Sequence, residues 1–392
     1  MKDNTANATT LVARLSESHA ELPVDVTLRP NHATPHETAQ TVDGSTVLPS
    51  GSDGELSLPL LTSLPSIETL PSGRDGDTTG PLNGGVMGEL EVVERIGAGG
   101  MGEVHLVYQR ALRRHVVVKR LKPSRTTDVH AAQSLLREGL LTGLLEHPNI
   151  VPVHALGRTS DGLPVLVMKR ISGVSWQELI DDPDHPAWAQ WVQGDRLAWQ
   201  LHVLMQVCNA IHFAHSHRIV HRDIKPENIM IGAFGEVYVL DWGVGVKLDE
   251  RGEAEPQMLA GTPLYMAPEM VAGYDYPITA RTDVYLLGAT LHEVLTGTPR
   301  HRGSTLPEVL CHVLMSEPYA YGPEVPEALA QLCNAATHPI PTERPESADA
   351  FRRMLAEILE RRGAIRLQAL ATTRFEELES LWEAMEDTKS LV

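Results

Sequence analysis

The chemistry-bearing residues of this chain gather in one octapeptide, His221-Arg222-Asp223-Ile224-Lys225-Pro226-Glu227-Asn228. It sets two acids, two cations and an amide into one short turn after the apolar Ile219-Val220, a mixture that burial of apolar surface does not call for. Past the strand-like run Glu236-Val237-Tyr238-Val239-Leu240 comes a further acid, in Asp241-Trp242-Gly243. Aspartate and asparagine offer hard oxygen ligands of the kind a magnesium ion prefers. A carboxylate beside a lysine can take a proton from an alcohol while the ammonium steadies an anion. These are the parts that moving a charged group onto a hydroxyl requires.

The elements that must position them begin near Gly88. Leu90–Ile96 reads as a strand and runs into Gly97-Ala98-Gly99-Gly100-Met101-Gly102-Glu103-Val104, a G-x-G-x-x-G-x-V pattern. Such spacing alone also serves ordinary turns and dinucleotide folds. A dinucleotide fold opens a helix at the last glycine. Here Val104-His105-Leu106-Val107-Tyr108 is apolar and β-branched, so a second strand and a glycine-tipped hairpin are expected. Glycine lets such a hairpin lay backbone N–H groups over phosphates. Val116-Val117-Val118-Lys119 then puts a lysine at the end of an apolar strand, where it could equally cap the strand into solvent. Ala131–Leu145 has helical spacing, carries Glu138 as the natural ion-pair partner of Lys119, and stops at Pro148. Val151–Gly157 and Leu163–Met168 read as further strands. Asp181–Asp195 looks like an irregular insertion whose Trp188 and Trp191 pack rather than bind. Arg196–Ser216 reads as a long amphipathic helix. His212, His215, His217 and His221 lack the carboxylate or cysteine that would complete a metal set.

Taken in order, the glycine hairpin, strand lysine, helix glutamate, octapeptide, Asp-Trp-Gly and Ala267-Pro268-Glu269 resemble the protein kinase superfamily. The loop GAGGMGEV with HRDIKPEN looks most like the bacterial eukaryotic-like (Hanks-type) serine/threonine kinases. The resemblance covers residues 89–360 and implies an α+β, bilobal fold: a small lobe of antiparallel sheet plus one helix, and a large, mainly helical lobe. It implies ATP as phosphoryl donor, Mg²⁺ as the metal with Mn²⁺ able to substitute, and Ser/Thr hydroxyls of proteins as acceptors, with autophosphorylation. By the same resemblance, Ile96 to Val104, Lys119, Met168, Asn228 and Asp241 bind the nucleotide, and Asn228 and Asp241 hold the metal. Met168 becomes the gatekeeper before a hinge at Lys169–Gly173, which carries Lys169 and Arg170 where an acidic residue is common. Asp223 is the base, Lys225 steadies the γ-phosphate, Lys119 and Glu138 fix the α- and β-phosphates, and Thr262 orients Asp223 and Lys225. Asp283 would hold the catalytic-loop backbone, and Arg344 would pair with Glu269. A pseudokinase or nucleotide-binding scaffold is the alternative, but such relatives usually lose Lys119, Asp223 or Asp241. A small-molecule kinase would generally lack the Gly261-Thr262…Ala267-Pro268-Glu269 segment.

Two departures from the family pattern carry expectations. Trp242 stands where the family has Phe, and Thr142 stands where it has a larger aliphatic, which suggests an exchange of volume. Val244–Gly261 has no Ser, Thr or Tyr, but does have Asp249, Glu250, Glu253 and Glu255. Glu253 or Glu255 is expected to stand in for an activating phosphate opposite Arg222.

The bulk numbers limit the function classes. A net charge of -18 over 392 residues argues against nucleic-acid or anionic-membrane binding, which needs a basic face. Three scattered cysteines read as reduced thiols in a cytoplasmic protein. No signal peptide is visible and no apolar run approaches the roughly 20 residues of a membrane helix. Residues 1–85, rich in Ser, Thr, Pro and Gly, read as disordered, with Leu58–Leu70 as a docking segment and the hydroxyls as phosphate acceptors for phosphothreonine-recognising partners. Residues 361–392 read as an amphipathic helical tail through Leu378, Leu381, Trp382 and Met385, packed on the large lobe or reaching for a partner.

Overall fold

The computed structural model describes residues 64–67, 69–70, 90–98, 102–192, 194–254, 260–271 and 276–389. The small lobe is one six-stranded sheet ordered β1-β2-β3-β4-β6-β5. Its strands are β1 (Thr69–Leu70), β2 (Leu90–Ala98), β3 (Gly102–Gln109), β4 (Arg114–Leu121), β5 (Val153–Arg158) and β6 (Pro164–Lys169). All neighbours pair antiparallel except β1, which lies parallel to β2. Helix α1 (Val129–Gly143) starts where the Asp128 carboxylate accepts the N–H groups of His130 and Ala131. It packs on one face of the sheet through Ala131, Ala132 and Leu135 against Leu121 and Leu166.

Period-two alternation along β4 decides what that arrangement does. Val116 and Val118 turn to the far face, where they pack with Leu90, Val107, Val165, Val167 and Ile67. Lys119 therefore points to the face that α1 covers, the face bearing Glu138. Ile67 corrects the expectation that residues 1–85 stay outside the folded part. It is buried at 3% exposure, its N–H bonds to Arg158 O, and Arg158 Nε donates to Leu64 O. Ile67 belongs to the apolar cluster Leu58–Leu70, which has no regular period, and it covers an apolar face of the sheet. Most of the Leu58–Leu70 docking segment and the rest of residues 1–85 lie outside the described residues.

The large lobe is mainly helical. Its helices are α2 (Trp176–Asp181), α3 (Ala187–Trp191), α4 (Arg196–Ser216), α5 (Ala280–Thr296), α6 (Leu306–Met315), α7 (Glu327–Ala336) and α8 (Ala348–Lys389). Strands β7 (Gly173–Ser175), β9 (Ile229–Gly232) and β10 (Val237–Val239) form a small sheet, and β8 (Ile219–Val220) pairs with β11 (Val246–Lys247). The core runs through α4 and α5. From Thr282 to Glu293 every residue of α5 is buried, so this helix is enclosed on all sides. The tryptophans of the 181–195 stretch pack as expected: Trp188 meets Trp199 edge to face and Trp191 stacks on it. Helix α8 runs unbroken through residue 361, where a separate tail was expected to begin.

Candidate active site

The site lies where β4, α1, the loop after β8 and the turn after β10 converge. Lys119 Nζ sits 2.8 Å from both carboxylate oxygens of Glu138 and 3.5 Å from Asp241 Oδ1. This small cluster joins the two lobes. Burial works against the Lys119 charge, but Asp241 and Glu138 together raise its affinity for the proton, so it stays an ammonium. Burial pushes the Glu138 carboxyl up to about 7, against the pull of Lys119 and with the help of Asp241. Lys119 holds the Asp241 carboxyl below its ordinary range, with burial opposing and Lys225 adding to the effect.

The octapeptide is held by its backbone. Asp283, fully buried in α5, accepts the N–H of His221 at 2.8 Å and of Arg222 at 2.9 Å, and meets His215 Nε2 at 2.8 Å. Those two N–H bonds fix Arg222 in the left-handed region at φ 66°, a conformation a non-glycine residue adopts at a cost of ~1–3 kcal/mol. His221 Nδ1 accepts the Asp223 N–H while Nε2 donates to Leu240 O, which sets one neutral tautomer and ties the octapeptide to the strand before Asp241. Asp241 is itself left-handed at φ 57°. Its neighbour Trp242 is fully buried, with its ring 4.5 Å from that of His221.

Asp223 is aimed by three side chains. Its Oδ1 accepts the Thr262 N–H at 2.9 Å and the Thr262 hydroxyl at 2.7 Å, and its Oδ2 accepts Asn228 Nδ2 at 2.8 Å. Lys225 Nζ lies 3.2 Å from Asp223 Oδ2 and 2.5 Å from Thr262 Oγ1. Gly261 makes this approach possible. At φ 105° it is in glycine territory, and a Cβ there would lie 2.6 Å from Arg222 O. The buried pair Glu269–Arg344 then anchors the segment's far end, bidentate at 2.6 and 2.8 Å, both side chains wholly shielded from water.

The donor set suits a hard divalent cation. Asn228 spends its amide hydrogens on Asp223, leaving its Oδ1 outward, and Asp241 keeps a half-exposed carboxylate beside it. Among the described residues no three His, Cys, Asp or Glu side chains group as a metal cage.

Of the nucleotide-binding residues expected from the sequence, Ile96, Gly97 and Ala98 end β2. Gly102, Glu103 and Val104 open β3, with Val104 opposite Gly97 and Glu103 opposite Ala98. Gly99, Gly100 and Met101 lie outside the described residues. The Glu103 side chain is occupied by its own sheet, through Arg95, His105 and Arg120. Met168 stands half-buried on β6, paired with Val117. At the hinge Lys169 reaches away from the strand, lying over the Tyr238 ring at 4.5 Å and donating to its hydroxyl at 2.5 Å. Neither this pair nor His215 was read from the sequence. His215 is the second-last residue of α4, and no local signal in the sequence ties it to Asp283. The structure pairs Arg222 Nε with Val244 O and closes Glu253 N–H on Asp249; Glu255 lies outside the described residues. Thr142, buried, turns its hydroxyl to Glu138 O.

With this geometry in view, residues 90–359 match the protein kinase domain, and the chain belongs to that family. It is 32% identical over 308 residues to the serine/threonine-protein kinase PknD of Chlamydia trachomatis serovar D, covering 70% of this chain and 32% of that one. It is 36% identical over 222 residues to the serine/threonine-protein kinase PknB of Mycolicibacterium smegmatis, covering 55% and 33%. The chain thus spans about a third of the length of these curated relatives. No helix among the described residues is long and apolar enough to cross a membrane.

Proposed function

We propose that the protein is an ATP-dependent serine/threonine protein kinase in bacterial signalling, moving the γ-phosphoryl group of ATP onto Ser or Thr hydroxyls of proteins and of itself. The observation that carries this reading is the Asp223 carboxylate, aimed by Thr262 and Asn228 with Lys225 alongside, whose charge also acts on Asp241 of the Lys119–Glu138–Asp241 cluster. Lys119, held by Glu138, binds the α- and β-phosphates beneath the glycine hairpin, and Met168 borders the adenine. Asp223 accepts the hydroxyl proton as the oxygen attacks, a role worth ~10²–10⁴-fold. Lys225 balances the charge on the moving group. Asn228 and Asp241 would hold Mg²⁺, or Mn²⁺ in its place, which when bound neutralises phosphate charge. Most of the barrier falls through positioning and electrostatics.

The relatives' names, and Thr262 bonded to both Asp223 and Lys225, support Ser/Thr over Tyr acceptors. Free cysteines at 208, 311 and 333 support a cytoplasmic setting. The hydroxyl-rich N-terminal region is proposed to take phosphate and to engage phosphothreonine-recognising partners. The carboxylates of Glu253 or Glu255 are proposed to substitute for an activating phosphate. The test is transfer of labelled phosphate from ATP to a generic protein. Wild type labels it and Asp223→Ala does not; equal labelling by both would remove Asp223 from the chemistry. Initial rates of phosphatase-treated protein should show no lag. A lag abolished by pre-incubation with ATP would sink the acidic-segment reading alone.

A further inference from the structure

Helix α8 changes character along its length. Phe351 and Leu355 are fully buried, and Ile358 and Leu359 pack against the same core. The last ties to the lobe are Arg362, 3.0 Å from Asp195 Oδ2, and Arg366, 3.8 Å from the same oxygen. From Gly363 to Glu379 every residue is exposed. Yet this stretch and the turn after it carry Leu367, Leu370, Phe375, Leu378 and Trp382, each between 59% and 69% open to water. They recur every three to five residues, so they line one seam of the helix. An apolar row of this extent marks an interaction surface. A helix of several turns without tertiary packing is also marginal in water.

Charge indicates what covers it. Of the cations, Arg361 and Arg362 lie just before the exposed stretch and Arg366 and Arg374 in its first half; Arg366 also reaches Asp195, and Arg374 bonds Glu377 of the same helix at 2.6 Å. Glu376, Glu377, Glu379, Glu383, Glu386 and Asp387 follow in the second. We propose that this stretch pairs antiparallel with the same stretch of a second copy of the chain, forming a two-fold dimer. An antiparallel pair lays the cationic half of one helix along the acidic half of the other, whereas a parallel pair sets like charges together. The register closes on itself. With the two-fold axis at Glu376, Leu370 falls opposite Trp382 of the second copy, and Arg374 falls opposite Leu378, between Glu377 and Glu379 of that copy. The two catalytic domains then sit at opposite ends of the helix pair.

Light scattering on the full chain at micromolar concentration tests this. Wild type is expected at twice the chain mass. Leu370→Glu/Leu378→Glu is expected at the chain mass, with the melting transition of the catalytic domain unchanged because neither residue touches a lobe. Arg374→Glu replaces the cation that lies between Glu377 and Glu379 of the second copy with a like charge and should weaken the antiparallel dimer about fivefold or more. Arg374→Cys/Leu378→Cys should oxidise to a covalent dimer, whereas Arg374→Cys alone should not. A monomeric wild type, a dimer that survives the paired Leu→Glu change, or a covalent dimer from Arg374→Cys alone overturns the proposal. A monomer whose residues 363–389 resist hydrogen exchange does so too, because the chain would then be covering its own helix.

Discussion

Asp283→Asn measures what it takes to hold the catalytic loop. The carboxylate serves three donors, and an amide of the same shape keeps one oxygen. The better orientation leaves that oxygen at the Oδ2 position, where it retains His221 N–H and His215. The new NH₂ then faces the Arg222 N–H, donor against donor, at the 2.9 Å the oxygen once occupied. Losing a hydrogen bond to a charged acceptor costs ~1.5–3 kcal/mol, and the buried N–H left without a partner ~1–3 more. The sum is about 3–5 kcal/mol, or a fall in Tm on the order of 10 °C for a domain of this size. Arg222 loses the bond that stabilises its left-handed backbone, so Asp223 drifts from Thr262. The rate should fall by tenfold or more while ATP affinity, to which the small lobe's Lys119 and glycine hairpin contribute independently of the loop, changes less. Thermal melts with ATP-titrated initial rates read both quantities. An unchanged Tm and rate, or a change confined to ATP affinity, would refute the reasoning. An acid titration adds a sign. Burial opposes Asp283 ionisation, yet His215 and the loop N–H groups hold its carboxyl below the ordinary range. Its stabilisation is therefore present above the unfolded value near 4 and lost as pH falls through the lower folded value. The asparagine variant should lack that loss.

Glu269→Gln leaves Arg344 buried without its counter-ion and should lower stability in urea by ~3–5 kcal/mol, while Glu269→Leu/Arg344→Met should recover part of it. Glu138, raised to about 7 in the fold, gives opposite slopes with pH. Its ionised form pairs with Lys119, so activity should climb as pH rises through about 7. The folded state binds the extra proton, so its contribution to stability is full below about 4.5 and lost as pH rises to 7. Parallel slopes in rate and melting profiles would contradict this. Trp242→Phe opens space beside His221 and should lower activity, and Thr142→Leu in the same chain should restore it if the two positions exchange volume. Full activity of the single variant would end that idea.

What the sequence made legible follows local rules. Helix α4 begins and ends at Arg196 and Ser216 as expected, because Asp195 accepts the Ala198 N–H and starts it. The glycine-tipped hairpin followed from β-branched residues after Gly102. The partnership of Lys119 and Glu138 came with the order of the motifs, and strand alternation then turns the lysine toward the helix that carries Glu138. Contacts between distant side chains had no such pattern. Lys169 on Tyr238, and His215 on Asp283, depend on how strands and helices cross. Ile67 lay within the apolar cluster Leu58–Leu70 expected to dock, but a cluster without a period does not say that the surface it covers is the chain's own small lobe. The course of α8 past residue 361 was open for the reverse reason, since nothing there breaks a helix.

Ile67 has a consequence for where this chain can be cut. Shared homology begins at residue 90, but the hydrophobic packing of the small lobe begins earlier, and Gly157 lacks a side chain where a methyl would overlap the isoleucine. Strand β5 is shaped around a piece of chain that homology alone would discard. Trimming to the shared border would wet the valines behind the nucleotide strands. Any change in catalysis then seen would report an injured lobe, and would be misread as release from a regulatory leader.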